Sequence, residues 1–584
     1  MNIFKITREG IISKINELVS EGFLPDSLII ENVTAEPPRD SSHGDIATNA
    51  AMVLAKPARK NPKEIAEKLV EKIKSLPYVN SIEIAGPGFI NIRLEDDVLY
   101  DVVDVVLKEG GSFGNSDIGK NKKINIEYVS ANPTGPLHIG HARGAIVGDV
   151  LSLLLLKAGY DVTKEYYIND AGGQVDILAE SAYHRYKEAL GIRMGEVPEG
   201  LYPGEYLVDI GQSFAQTHEK DYLDVTKDVW LPVLREFTIQ SIMALIKNDL
   251  LRIGIEHDVF TSEKKFVESG KIEETIKLLE QKGLLYIGKL DPPKGKLPDD
   301  WEERDQLLFK STDYGDDVDR ALKKSDGSGT YFASDIAYHN DKIERGFSEM
   351  IAILGADHGG YIKRLRAAVR GLSNNRAHID VLLYQLVNFM DEGKPLKMSK
   401  RAGSYITVSD VVDAVGKDVI RFIMLTRKSD AVMDFDLKKV TEQSKDNPVF
   451  YVQYAHARIS SVIRNASSEI SEVRNIDFTN IDKKYLSLIK NKNELDMVKI
   501  ISQWPRIVET AALHREPHRI AFYLQELSSS FHSLWNDGKE DKNMRFIIED
   551  DVDLTIARMA LIKACSNTIA SGLMVMGVEP LLEM

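Results

Sequence analysis

The stretch that most constrains the fold is INIEYVSANPTGPLHIGHARGAIVGDVLSLLLLKAGY, residues 124–160. Ile124, Ile126 and Tyr128 alternate with Asn125, Glu127 and Val129, which is the period of a strand. AIVGDVLSLLLLKAGY is apolar nearly all round and closes at Gly159, which predicts a buried helix with a glycine stop. Between them, residues 131–144 hold two prolines, three glycines and two histidines three apart. Strand, tight loop and buried helix in that order make a corner of an α/β sheet. In such sheets ligands bind outside the carboxyl ends of the strands, where helix N-termini present free N–H groups. His138 and His141 share a helical face and can donate together to phosphate oxygens. A turn whose prolines and glycines only bend the chain, with capping histidines, is the simpler reading for one histidine; the spaced pair favours a phosphate.

From Ile124 to about Thr426 strand-like and helix-like stretches alternate, with EMIAILGADHGG and VLLYQLVNFM as later strands. This predicts a doubly wound, parallel-sheet α/β domain of Rossmann-like form. The segment before it mixes signals and ends in the strand-like INIRLED and the helical DVLYDVVDVVLKEG; GGSFGNSDIGKNKK reads as a linker. From VTEQSKDNPVFYVQYAHARISSVI onward the period is helical, as in a bundle. The expected organisation is an N-terminal α+β domain (1–110), a linker (111–122), an α/β catalytic domain with insertions (123–427) and an all-α domain (428–584).

With 43% hydrophobic and 28% charged residues, the composition is that of a soluble globular chain. The net charge of −15 opposes nonspecific attraction to nucleic acid while leaving room for local basic surfaces. Cys565, the single cysteine, excludes a disulfide framework and a structural zinc site built from several thiolates. The N-terminus lacks a continuous apolar signal core, LSLLLL is too short to span a bilayer, and SNTIASGLMVMGV is broken by polar residues. A cytoplasmic enzyme without membrane contact is expected.

A second candidate is GKPLKMSKRAGSYIT, residues 393–407, where Lys397 and Lys400 flank Met398 and Ser399. A loop with lysines three apart can close over a polyphosphate and neutralise charge building up on it. By itself it reads as a solvated basic loop; beside the histidine corner it gains a function.

HIGH at 138–141 and KMSK at 397–400, in that order around an α/β domain, resemble the two signatures of class I aminoacyl-tRNA synthetases. The resemblance narrows to the arginyl-tRNA synthetase family through YYINDAGGQ, GTYFASDIAYH, LGADHGGYIKRL and NPVFYVQYAHARI, and it extends over GDIATNAAMVLAKPARKNP, AGPGFINIRL and GLMVMGVEPLLEM. The family's Asp-Ala-Leu-Arg motif is DVIR here, Asp418 to Arg421, and its polar residue after the MIAIL strand, often glutamine, is replaced by Asp357 and His358. The resemblance implies that His138, His141, Lys397 and Lys400 are catalytic. ATP would be held by Pro133, Thr134, Gly135, His138, Gly140, His141, Met398 and Ser399. Arginine would be held by Glu127 and Asp335 at the guanidinium, Tyr331 against the substrate, and Ser130 with Asn132 at the α-amino group.

A cationic side chain needs acidic partners, best in a planar, bidentate arrangement. Glu127 near the end of the first strand and Asp335, four residues after Tyr331 on one helical face, are candidates by position; an exposed strand carboxylate is the alternative for Glu127. The resemblance further implies arginine, ATP and tRNA(Arg) as partners and Mg²⁺ carried mainly by ATP; no structural zinc or other protein-held metal and no obligate protein partner are expected, with a monomer as the default. The first step is expected to need bound tRNA. For tRNA, Phe89 and Asn91 are two apart in a strand and offer a ring and an amide to an unpaired base. Tyr451, Tyr454 and Arg458 recur at helical spacing, either as an anticodon-facing surface or as a core stripe. A nucleotidylyltransferase would share the phosphate corner but lack the helical domain. A non-catalytic tRNA-binding relative would be expected to have lost a signature.

Overall fold

In the computed structural model the described residues are 1–290, 304–324, 326–395, 406–442, 444 and 446–584. Lys397, Met398, Ser399 and Lys400 therefore lie outside the described residues. The chain forms two compact units, Met1–Ile118 with Gln443–Met584, and Gly119–Glu442.

The first unit opens with a four-stranded antiparallel sheet, β1 (Ala35–Glu36), β2 (Ile46–Thr48), β3 (Val79–Ala85) and β4 (Phe89–Leu94), in the order β1-β2-β4-β3. Three helices, Ile3–Ser20, Ala50–Ala58 and Pro62–Ile73, cover it because each turns an apolar stripe inward; Ile11, Ile15, Leu54, Ile65 and Leu69 bury against Ile90 and Ile92. The Asp96–Glu109 helix packs on Val552–Val575 and Lys492–Ser502, helices of the C-terminal bundle that also holds Pro448–Glu469 and His518–Glu540. The glycine-rich segment read as a linker is anchored at its start. Phe113 is fully buried and its carbonyl accepts a 3.0 Å hydrogen bond from Trp504 Nε1, so the unit ends at Ile118.

The second unit is built on five parallel strands: β5 (Lys123–Glu127), β6 (Asp161–Ile168), β7 (Val259–Ser262), β11 (Glu349–Gly355) and β12 (His378–Tyr384). Their order is β12-β11-β5-β6-β7, so the winding reverses between β5 and β11, the switch point where a doubly wound sheet binds ligands. A smaller antiparallel sheet, β8 (Leu285–Gly288), β9 (Gln306–Phe309) and β10 (Arg320–Ala321), lies in the insertion before β11. β13 (Val387–Asp391) pairs with β14 (Lys394–Pro395) and, in parallel, with β15 (Met433–Asp436). The all-α domain expected from 428 thus begins later, because Met433–Asp436 completes this sheet and Phe435 buries against Phe389.

The corner helix, Ile139–Lys157, is long and apolar enough to cross a membrane by length and composition, as is Lys227–Arg252, so the LSLLLL run is not short in its helical context. It is instead a core helix, 78% buried, and its glycines permit close approach: a Cβ on Gly148 would lie 2.3 Å from Tyr128 and one on Gly144 2.5 Å from Tyr384.

Candidate active site

β5 ends at Glu127, earlier than the alternation through Val129 implies. Val129 and Ser130 take φ of 68° and 39°, left-handed values costly for any residue with a Cβ and most of all for β-branched valine. The turn is held by its surroundings. Ser130 Oγ donates to Glu127 Oε1 at 3.2 Å and accepts from the Tyr167 N–H at 3.1 Å, and Tyr166 donates to the Ala131 carbonyl at 2.7 Å. The loop then runs to His138, which caps the corner helix in extended conformation and stacks its ring on His141 at 3.7 Å between centroids.

The residues that follow the lysine motif are laddered to this corner. Ile139 N–H donates to the Ile406 carbonyl at 3.1 Å and Val408 N–H to the Leu137 carbonyl at 2.9 Å, either side of a bridge between His138 and Thr407. Asp249 ties the same two segments by accepting from the Leu137 N–H at 2.9 Å and from Ser409 Oγ at 2.8 Å. Thr407 opens the next helix with a capping box closed by Asp410. Two buried arginines lock the helix behind. Arg143 donates to the carbonyls of Gln385, Lys428 and Ala431, and Arg421 donates to Asp149 Oδ2 at 2.6 Å and to the Ile253 carbonyl at 2.9 Å. Arg421 is the end of the DVIR sequence, which is a helical strut of the second unit.

At the switch point lies a cavity of about 1110 Å³ whose walls include Glu127, Ser130, Asn132, His138, His141, Tyr331, Asp335, Gly355 and Leu386. One end is acidic. Burial pushes the Asp335 carboxyl up to about 7, and nearby Glu127 and Glu263 add to this against the Tyr361 hydroxyl, which donates to it, and Arg364. Burial, with Asp170, also raises Glu263. Glu127 is buried, not an exposed strand carboxylate, and pairs with Lys342 Nζ at 2.7 Å. Tyr331 starts the Tyr331–Glu344 helix with its ring exposed. Asp357 and His358 line the cavity with exposed side chains 3.7 Å apart. A smaller cavity of about 690 Å³ adjoins it through Asn132, Thr134 and His141 and is closed by Val197–Gly204 and Tyr206, whose hydroxyl donates to the Thr134 carbonyl at 2.6 Å. Among the described residues no group of three or more His, Cys, Asp or Glu is placed to hold a metal ion.

Pro133, Thr134, Gly135 and Gly140 belong to the corner as expected from position, with Pro133 buried beneath it. Lys342, Glu263, Tyr361, Asp249 and Arg143 went unread in the sequence. Arg143 and Tyr361 had a nearby signal, the first in the histidine motif's own helix and the second within LGADHGGYIKRL.

In the first unit, Phe89 is 44% exposed but Asn91 only 6%, so the amide expected to meet a base is covered; Arg93 is the second exposed side chain of β4. Tyr451, Tyr454 and Arg458 stand half-buried on one helix. The Arg458 guanidinium lies 4.2 Å from the Tyr454 ring and 4.7 Å from Trp535, and Tyr451 packs on His532 at 4.5 Å. They form a partly open cation–aromatic cluster, neither a plain core stripe nor a free surface.

Residues 102–465 match the family described as tRNA synthetases class I (R), catalytic domain. With the doubly wound sheet and the histidine corner at its switch point, this makes the second unit a class I aminoacyl-tRNA synthetase catalytic domain. Residues 6–94 match the arginyl tRNA synthetase N terminal domain and 452–584 the DALR anticodon binding domain. The chain is 52% identical over 590 residues to an arginine–tRNA ligase of Parvibaculum lavamentivorans, covering 100% of both, and 54% identical over 584 residues to one of Wolbachia pipientis wMel, again covering 100% of both. The chain belongs to the arginyl-tRNA synthetase family. Its fold is that of the solved Thermus thermophilus arginyl-tRNA synthetase, with a TM-score of 0.71 at 19% identity, covering 99% of this chain and 100% of that one.

Proposed function

We propose that this chain is an arginine–tRNA ligase that makes arginyl-adenylate in the 1110 Å³ cavity and passes the arginyl group to the 3′-terminal adenosine of tRNA(Arg). An arginine carboxylate oxygen attacks the α-phosphorus of ATP and pyrophosphate leaves. The 2′-hydroxyl of the terminal adenosine then attacks the acyl carbon, AMP leaves and the hydroxyl proton is lost.

The observation that carries this reading is the cavity's polarity: an acidic end at Asp335 and Glu127, and a phosphate end where the stacked histidines meet the backbone of Ile406–Val408. Arginine's guanidinium goes to Asp335 with Tyr331 alongside, and Ser130 and Asn132 receive its α-amino group. His138 and His141 donate to ATP phosphates over Pro133, Thr134, Gly135 and Gly140. Lys397 and Lys400, with Met398 and Ser399 between them, close on the departing pyrophosphate. Catalysis is then positioning and charge stabilisation. Mg²⁺ arrives on the phosphates of ATP as part of the substrate. Phe89 stacks on an unpaired tRNA base and the Tyr451–Tyr454–Arg458 cluster faces the anticodon loop, with the enzyme working as a monomer in the cytoplasm.

The test is ATP–pyrophosphate exchange across the twenty amino acids, with and without tRNA. Exchange with arginine and no other amino acid, dependent on bound tRNA, is the expected result; exchange driven by another amino acid overturns the reading.

A further inference from the structure

The two oxygens of the Glu127 carboxylate face opposite ways. Oε2 accepts from Lys342 Nζ at 2.7 Å, while Oε1 accepts from Ser130 on the cavity side. Lys342 is 1% exposed and sits two turns beyond Asp335 on the same helix. Its Nζ lies 4.1 Å from the centre of the Tyr338 ring, and Glu165 is close enough to feel its charge. Glu165 is separately paired with Arg345 at 2.8 Å, hydrogen-bonded by Thr261 and Asn125, and so already satisfied. Among the described residues neither Asp335 nor Glu263 makes an ion pair; Glu127 is the one carboxylate of the acidic end that does, with Lys342, while Arg364 acts on Asp335 through its charge.

A lysine so deeply buried is retained only where its charge is matched. A structural pairing would be satisfied by any carboxylate in the core; this one is the last residue of β5, immediately before the strained corner. We infer that Lys342 is a positioning and specificity-determining residue: it holds Glu127 with one oxygen turned to the substrate and cancels its charge, leaving Asp335 as the principal charge partner of a monocationic side chain. Without Lys342, Glu127 is a second unpaired carboxylate that can rotate away from Ser130, and the end of the cavity no longer matches a single positive charge.

This inference rests on the arginine–tRNA ligase reading, and arginylation of tRNA by the wild-type protein checks that reading separately. Three variants test the inference. Lys342→Met is expected to lower kcat/KM for arginine on the order of 10²-fold, as for loss of one partner of a buried pair, with KM for ATP within a few-fold of wild type. Lys342→Ala removes the equivalent of propylammonium, so millimolar propylammonium is expected to restore part of the activity, and tetramethylammonium, which has no N–H donor, none. In the Glu127→Gln background, Lys342→Met is expected to cost nothing further, since the neutral pair strands no charge. Thermal melts of all variants accompany the kinetics. A lack of rescue by propylammonium in a folded Lys342→Ala protein overturns the inference, as does a loss from Lys342→Met that is equally large in the Glu127→Gln background or spread equally over ATP and arginine. If Lys342→Met does not fold, the double variant and the rescue decide.

Discussion

With Asp335 as the proposed partner of the guanidinium, arginine binding is expected to depend on pH in a range where the arginine side chain does not titrate. Its carboxyl, pushed up to about 7 by burial with Glu127 and Glu263 nearby, is half-protonated near neutrality in the unliganded protein. The folded state therefore holds this proton more tightly than the unfolded chain, so the group's effect on stability is unfavourable as pH rises through the window from the ordinary carboxyl value to about 7. A guanidinium requires the ionised form, so binding arginine releases the proton. With a midpoint of about 7, the binding-competent fraction is about one tenth at pH 6 and about nine tenths at pH 8, and affinity scales with that fraction, a change of roughly tenfold. Equilibrium binding of arginine without ATP should show this rise from pH 6 to pH 8. Calorimetry in two buffers of different ionisation enthalpy should show proton release near neutrality. Asp335→Asn should bind arginine weakly and without the pH slope, and the neutral isostere citrulline should show no slope on either protein. Arginine affinity that is flat across this range in the wild type would refute the assignment of Asp335 as the charge partner.

His138→Ala should slow arginine-dependent adenylate formation on the order of 10²–10³-fold with little effect on arginine affinity, read in single turnovers. Arg143→Ala strands three carbonyls in the core and should cost roughly 3 kcal/mol or more in urea unfolding; Arg143→Lys should not restore it, because one ammonium cannot span the fork. Phe89→Ala should raise KM for tRNA by the equivalent of roughly 1–3 kcal/mol while leaving stability near wild type. Asn91→Ala, at a covered position, should instead lower the melting temperature of the first unit.

The strand–loop–helix form of the histidine corner was legible because all its parts lie within one short stretch: strand period, a loop with prolines and glycines, and a long apolar helix. The all-α character of the C-terminal part was legible for the same reason, since helical period is a local property. Tertiary structure decided what depended on distant partners. The periodicity of β5 suggested one exposed face, yet the strand is central in a parallel sheet and buried on both, so Asn125 and Glu127 face Glu165 and Lys342 rather than water. Burial likewise removed Asn91 from the surface although its spacing from Phe89 is right. The start of the all-α domain moved because Met433–Asp436 finds its partner in a strand some forty residues earlier. Lys342 and Asp249 carry no local mark at all. Their meaning arises where the fold brings one to Glu127 across a sequence separation of 215 and the other to Leu137 across one of 112. A sequence sets the period of each element and the chemistry of each loop, while the balance of charge in a cavity is a sum over side chains that only packing brings within a few ångströms of one another.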